Sequence, residues 1–221
     1  MFSLPNNDEA LFDCGSLARF SRAAAAGINV LSRPKATSFS HSSRSLAGNM
    51  EARCSTDRLA VVPWSTPLST TELTELGGIL DTEVTAFLPP HLQYEPGTTD
   101  VSKWASTFAA GESAVSSVRL LGTNELCGLI LLRPEEESSL YVGYIFGKRH
   151  WGKGLATELL RGLVDQLTAQ RFVGELHAGV DRQNPASAAV LRKVGFNAMG
   201  PSTIGDKPTD VDWYYRKFDG K

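Results

Sequence analysis

Between an apolar run that ends near Ile145 and a helically spaced run that starts at Leu155 lies the loop Arg149-His150-Trp151-Gly152-Lys153-Gly154. Residues of these types can hold a phosphate. Backbone N–H groups converge at a helix N-terminus, where the aligned peptide dipoles also favour negative charge. Gly152 and Gly154 carry no side chain to block close approach, while Arg149 and Lys153 bring positive charge to the same place. Two nucleotide-binding patterns fail on residue identity. A Walker loop needs a hydroxyl residue where Gly154 stands, and the dinucleotide fingerprint needs a third glycine at Thr157. Both also expect a parallel strand ahead of the loop.

The elements that must position this loop are readable on either side of it. Arg58 to Trp64 reads as a strand ended by proline. Ser69 or Thr70 can cap a helix through Leu73, Leu76 and Leu80, and a second helix is expected from about Val101 to Ala110. Pro89, Pro90, Pro96 and Gly97 force an irregular connection between them. Ala114 to Leu121 and Leu126 to Leu132 form a hairpin around Gly122-Thr123-Asn124-Glu125, and Leu140 to Ile145 adds a third strand, so an antiparallel meander precedes the loop. Leu155, Leu159, Leu160, Leu163, Val164 and Leu167 then follow the three-and-four spacing of an amphipathic helix. Glu175 to Val180 is a strand, and Asn184-Pro185 opens a helix that Gly195 ends in a left-handed conformation. Strands from Phe196 and from Val211 to Phe218 close the chain. The order predicts an α/β (α+β) domain with a mixed, mostly antiparallel central sheet flanked by helices, in which the strand–helix–strand unit gives a parallel pair.

With 221 residues, 42% of them hydrophobic, the chain can bury one good-sized core. Its formal charge of −2 gives no footprint for nucleic acid or an anionic membrane, and it has no apolar run long enough to span one. Cys14, Cys54 and Cys127 are odd in number and far apart, which fits a reducing compartment, the cytoplasm, and excludes a disulfide framework or a zinc site. No metal is implied. Residues 1–55 are expected to be a disordered or weakly ordered extension, and residues 56–221 the folded domain. From Cys14 to Met50 there is no acidic residue, only scattered arginine and lysine among serine and alanine. A transit peptide and an upstream extension before a functional start at Met50 are the other readings; Asp8, Glu9 and Asp13 count against the first.

Arg149-x-x-Gly152-x-Gly154-x-Ala156, after Val142-Gly143-Tyr144-Ile145, resembles the coenzyme A signature of the GNAT N-acetyltransferase superfamily. Asn184-Pro185-Ala186-Ser187 and Lys193-Val194-Gly195-Phe196 are similar to its Rim-like branch, which acetylates ribosomal-protein N-termini. The resemblance implies a GNAT fold using acetyl-CoA as co-substrate. In that family Tyr144, Ile145 and Phe146 would bond the pantetheine arm through their backbone. The N–H groups from His150 through Trp151, Gly152, Lys153 and Gly154 to Leu155 would hold the pyrophosphate, with Arg149 and Lys153 as charge support. Asn184 would serve as helix cap and pantetheine contact.

Many members carry a tyrosine as general acid where this chain has Leu191, so Ser187 becomes the candidate to protonate the departing thiolate. An alkyl ammonium has a pKa of about 10, so an acceptor amine also needs a route for its proton. Glu83, His91, Glu112, Tyr141, Glu175 and His177 are candidates, with Glu112 and Tyr141 favoured because the family places their segments beside the acceptor. Cys127 lies in an apolar run with no activating base, so direct attack is expected rather than a covalent enzyme intermediate. The expected partners are acetyl-CoA and a primary amine, either a protein N-terminus or a small molecule, handled by a monomer or homodimer. The reading from another class is a noncatalytic acetyl-CoA sensor that keeps the loop.

Overall fold

The computed structural model describes residues 51–64, 67–109, 113–135, 138–204 and 207–221. Strand β1 (Leu59–Pro63) leads into helix α1 (Thr70–Ile79). The Ser69 hydroxyl accepts from the Glu72 N–H at 3.3 Å, and the Glu72 carboxylate accepts from the Ser69 N–H at 2.8 Å, a reciprocal capping box. The proline-rich connection contains two short elements: helix α2 (Thr82–Thr85), capped by Asp81, and a 3-10 turn at Pro90–Leu92. Helix α3 (Val101–Ala109) follows. Strands β2 (Ala114–Leu120), β3 (Leu126–Pro134) and β4 (Ser139–Phe146) form the expected antiparallel meander. The chain continues through helix α4 (Leu155–Ala169), strand β5 (Val173–Asp181), helix α5 (Pro185–Lys193) and strands β6 (Asn197–Ile204) and β7 (Lys207–Asp219).

The seven strands form one sheet in the order β1-β2-β3-β4-β5-β7-β6. All neighbours are antiparallel except β4 and β5, the pair joined through α4. Each face carries its own core. Ile130, Leu132, Leu140 and Val142 pack with Leu159, Leu160 and Leu163 on the face covered by α4 and α5. Leu129, Leu131 and Tyr141 pack with Leu76, Leu92 and Trp104 on the face covered by α1 and α3. This two-sided covering explains why β3 reads as an unbroken apolar run rather than an alternating one. Ala52 is buried among the first group, so packing begins ahead of β1. Among the described residues, no helix is long and apolar enough to cross a membrane.

Six side chains of α4 are buried. At roughly 2 kcal/mol each, their burial far outweighs the ~1 kcal/mol that a capping side chain supplies. The helix therefore holds with Gly154 at its N-cap, where no side-chain cap exists. That leaves its first N–H groups free for another acceptor.

Candidate functional site

Strand β4 pairs with β3 along its whole length but meets β5 at only three positions, Ser139 with Glu175, Leu140 with Leu176 and Tyr141 with His177. Past Tyr141 the two strands part. The gap is an open cleft that reaches both faces of the sheet. Tyr144, Asn184, Ser187 and Leu191 line it on the α5 side; Val84, Phe87, Leu88, Leu129, Leu131 and Ile145 line it on the other. The backbone edge of β4 from Val142 to Phe146 thus has a strand partner on one side only. An extended chain bearing amide groups can add to such an edge.

The loop closes the wide end. A 3-10 turn at Lys148–His150 follows β4, and residues 151 to 154 are exposed. Gly152 and Gly154 take φ of 70° and 76°, which favours glycine at both places. A Cβ at Gly152 would meet no atom within 4 Å, so the space above the turn is open. The Trp151 ring is 46% exposed, yet its Nε1 donates to the Phe146 carbonyl at 2.6 Å and fastens the loop to the end of β4. Arg149 pairs with Glu125 at 2.6 Å and donates from Nε to His150 Nε2 at 3.1 Å. Lys148 pairs with Glu83. Among the described residues, Lys153 is the loop cation without a carboxylate partner. Burial holds the His150 imidazole below its ordinary pKa, and its Nδ1 has no hydrogen-bond partner among the described residues.

A second clamp reaches the loop from β1. Arg58 donates from Nη1 to the Lys153 carbonyl at 3.0 Å and from Nε to Glu158 at 2.6 Å. Glu158, in the first turn of α4, also accepts from Thr56 Oγ1 at 2.5 Å and from the Arg58 N–H at 2.9 Å. Burial raises the Glu158 carboxyl, but these hydrogen bonds outweigh it and hold the group below the usual carboxylate range. A depressed folded pKa gives stability that is present above the unfolded value, about 4.3, and lost as pH falls through the folded one. Glu158→Gln should therefore melt below the wild type at pH 7, with the gap closing as pH drops below about 4. A gap unchanged at pH 3 in thermal melts would count against the clamp.

Of the residues expected from sequence to act in catalysis, Ser187 lines the cleft. Its N–H donates to the Asn184 side chain at 3.0 Å, so Asn184 caps α5 as expected, and its hydroxyl lies 2.8 Å from the Tyr144 hydroxyl. Burial pushes the Tyr144 phenol above its ordinary pKa, against a smaller opposing effect of that hydrogen bond. Leu191, fully buried, lines the same cleft and supplies no proton. Tyr141, Glu175 and His177 come together at the vertex of the split but lie outside the cleft lining. The Tyr141 ring stands edge-on to His177 at 5.4 Å, and His177 Nε2 is 2.8 Å from Glu175. Tyr141 points to the α1 face as the last paired rung, where Trp213 and Arg133 flank it at 5.4 and 5.0 Å. His91 and Glu83 are exposed, and Glu112 lies outside the described residues. Cys127 is fully buried with its thiol donating to the Val118 carbonyl at 3.1 Å; burial raises its pKa to about 11, which removes it as a nucleophile. No group of side chains able to hold a metal occurs among the described residues.

The Acetyltransferase (GNAT) domain family matches residues 58–197. This chain belongs to the GNAT acetyltransferase family. Two Bacillus subtilis proteins are similar to part of this chain: "Uncharacterized protein YkkB", 34% identical over 91 residues, and "Probable N-acetyltransferase YjcK", 36% identical over 90. Each match covers 41% of this chain, and the chain spans about half the length of these curated relatives, 52% and 48%. Among solved structures, RimL, the ribosomal L7/L12 alpha-N-protein acetyltransferase in complex with coenzyme A, superposes with a TM-score of 0.56. It is 16% identical, over 75% of this chain and 97% of that one, a likeness of fold. Sequence reasoning missed three features of the candidate site: the Arg58–Glu158 clamp, the Tyr144 hydroxyl and the wall made by Val84, Phe87 and Leu88. Glu158 carried a faint signal as an acid in the early turns of a helix.

Proposed function

We propose that this GNAT protein is an acetyl-CoA dependent N-acetyltransferase that acts on a primary amine, a protein N-terminus or a small molecule, by direct attack. The observation that carries the reading is the cleft between β4 and β5, open to both faces of the sheet, beside a β4 edge that runs on through the loop to the uncapped N-terminus of α4. The residues present fit coenzyme A. The N–H groups of His150 and Trp151 are taken by the Gly147 and Lys148 carbonyls, but those from Gly152 to Leu155 face open space and suit a pyrophosphate, with Lys153 as the available charge and Arg149 bracing the turn through Glu125. The one-sided edge of β4 at Tyr144, Ile145 and Phe146 suits the pantetheine amides, and Asn184 stands at the facing helix.

Acetyl-CoA supplies an activated acetyl group: the amine nitrogen bonds to the acetyl carbon, the carbon–sulfur bond breaks, and the thiolate leaves. Backbone N–H groups near Ile145 and Phe146 stabilise charge on the carbonyl oxygen. Ser187, backed by Tyr144, donates a proton to the departing sulfur, and the proton that the attacking nitrogen sheds returns through water in the open cleft to restore the hydroxyl. Tyr141 braces the vertex, and both reactants are held in one cleft, which removes the entropic cost of their encounter. Unpaired Cys54 and Cys127 accord with work in the cytoplasm. Thiol release from acetyl-CoA across a panel of peptides and small amines tests the proposal. Turnover with an amine supports it; tight acetyl-CoA binding with no turnover on any amine makes the protein a sensor instead.

A further inference from the structure

Coenzyme A, held by the loop at the head of α4 and by α5, occupies the cleft from the α5 side, so the acceptor must enter from the α1 face. That half is built almost entirely of carbon. Leu129 and Leu131 project to it from β3 and Ile145 from β4, while Val84, Phe87 and Leu88 form its outer wall around the short helix α2. Phe87 is 42% exposed, an aromatic ring held at the rim rather than in the core. Among the described lining residues Asp181 carries the only charge, and its carboxylate already accepts from the Gln183 N–H at 2.8 Å.

We infer that the acceptor is a monoamine whose amine-bearing carbon carries an apolar side chain, and that Phe87 and Val84 are specificity residues for it. The inference rests on the transfer reading above. One carboxylate can balance one ammonium. A polycation such as a polyamine or aminoglycoside would leave further charges buried against leucine and phenylalanine, with no partner to offset their desolvation. An apolar side chain gains from the same wall what a charge would lose. The wall also favours the neutral, attacking form of the amine, because removal from water disfavours the ammonium. This matches a cleft in which no lining histidine or glutamate presents itself as a base.

The test compares kcat/KM for leucinamide, phenylalaninamide, glycinamide and spermidine at saturating acetyl-CoA, with leucyl-glycyl-glycine added to separate a free amine from a peptide N-terminus. Leucinamide or the leucyl peptide should exceed glycinamide by at least ~10-fold, since even one methylene in an apolar pocket is worth about that much. Spermidine should do no better than glycinamide, and Phe87→Ala should narrow the ratio while leaving the melting temperature in place. Glycinamide equal to leucinamide, or spermidine preferred, overturns the apolar site and leaves acetyl transfer standing. If no amine is acetylated, calorimetric titration of leucinamide into CoA-saturated protein decides. Binding stronger than that of glycinamide keeps the apolar site and sinks the transfer reading; no binding overturns both.

Discussion

Replacing Gly154 by valine should weaken coenzyme A binding about 100-fold while leaving a folded protein. The residue sits at φ 76° as the N-cap of α4, and an ideal Cβ there would approach only the Arg58 guanidinium, at 3.8 Å. No protein atom forbids the added volume. What opposes valine is its backbone conformation, a cost of about 1–2 kcal/mol for the left-handed region and more for a β-branched residue. The fold can absorb that cost, because the buried face of α4 contributes several times as much. The site cannot. If φ stays positive, the isopropyl group occupies the space above the free N–H groups; if the chain relaxes to negative φ, those groups turn away. Losing two charge-assisted hydrogen bonds at ~1.5 kcal/mol each gives the expected two orders of magnitude. Calorimetric titration with coenzyme A and a thermal melt check both halves. Gly122→Ala, at a glycine with negative φ and open space around it, is the control and should change neither. A folded Gly154→Val protein that binds coenzyme A normally would remove the loop from the site.

The loop and the elements beside it were legible because their signals are local. The spacing of Leu155, Leu159, Leu160 and Leu163 marks a helix by itself, and that helix spans Leu155–Ala169. Asn184 followed by Pro185 marks a helix start by capping chemistry, and α5 begins there with the Asn184 side chain accepting from Ser187. The hairpin turn places Asn124 at φ 57°, a conformation asparagine tolerates. One boundary ran past its signal, and one short element carried none. The last strand begins at Lys207 rather than Val211, since Pro208 can sit near a strand's start in a hairpin whose register shifts twice. Helix α2 has four residues, shorter than any helical periodicity can show, and its Asp81 cap stands among residues that otherwise read as loop.

The site itself is non-local, and that is why half of it stayed hidden. Nothing in Leu140–Ile145 or Glu175–Val180 says that the two strands pair for three rungs and then part, because the divergence comes from sheet twist and from what packs between them. Arg58 and Glu158 lie a hundred positions apart and meet only when β1 crosses the head of α4. Conversely, Glu175 and His177 are base candidates by residue type alone, and Tyr141 by the place its segment takes in the family. Strand alternation then sends Tyr141, Glu175 and His177 to the α1 face at the closed end of the split, where they hold one another.

Removing the Ser187 hydroxyl should lower kcat by about 100-fold, the lower end of what a positioned proton donor contributes, with little change in acetyl-CoA binding. A small polar residue near a helix start usually serves its own backbone. Here Asn184 already accepts the Ser187 N–H, which frees the hydroxyl to meet Tyr144 at 2.8 Å inside the cleft. The phenol is kept neutral by burial across the working pH range, so it can donate to Ser187 while Ser187 donates to the sulfur. A chain of two hydroxyls polarises each bond in it. Three outcomes separate a donor from a packing role. Ser187→Thr, which keeps the hydroxyl, should retain most of the activity. Tyr144→Phe should lose about 10-fold in kcat, less than Ser187→Ala, because it removes the support and leaves the donor. An acetyl thioester with a more acidic thiol should shrink the deficit of Ser187→Ala, since a better leaving group has less need of a proton. If Ser187→Ala keeps kcat within threefold, or if its loss is the same for every leaving group, the thiolate takes its proton from elsewhere, and Ser187 is a structural partner of Tyr144 alone.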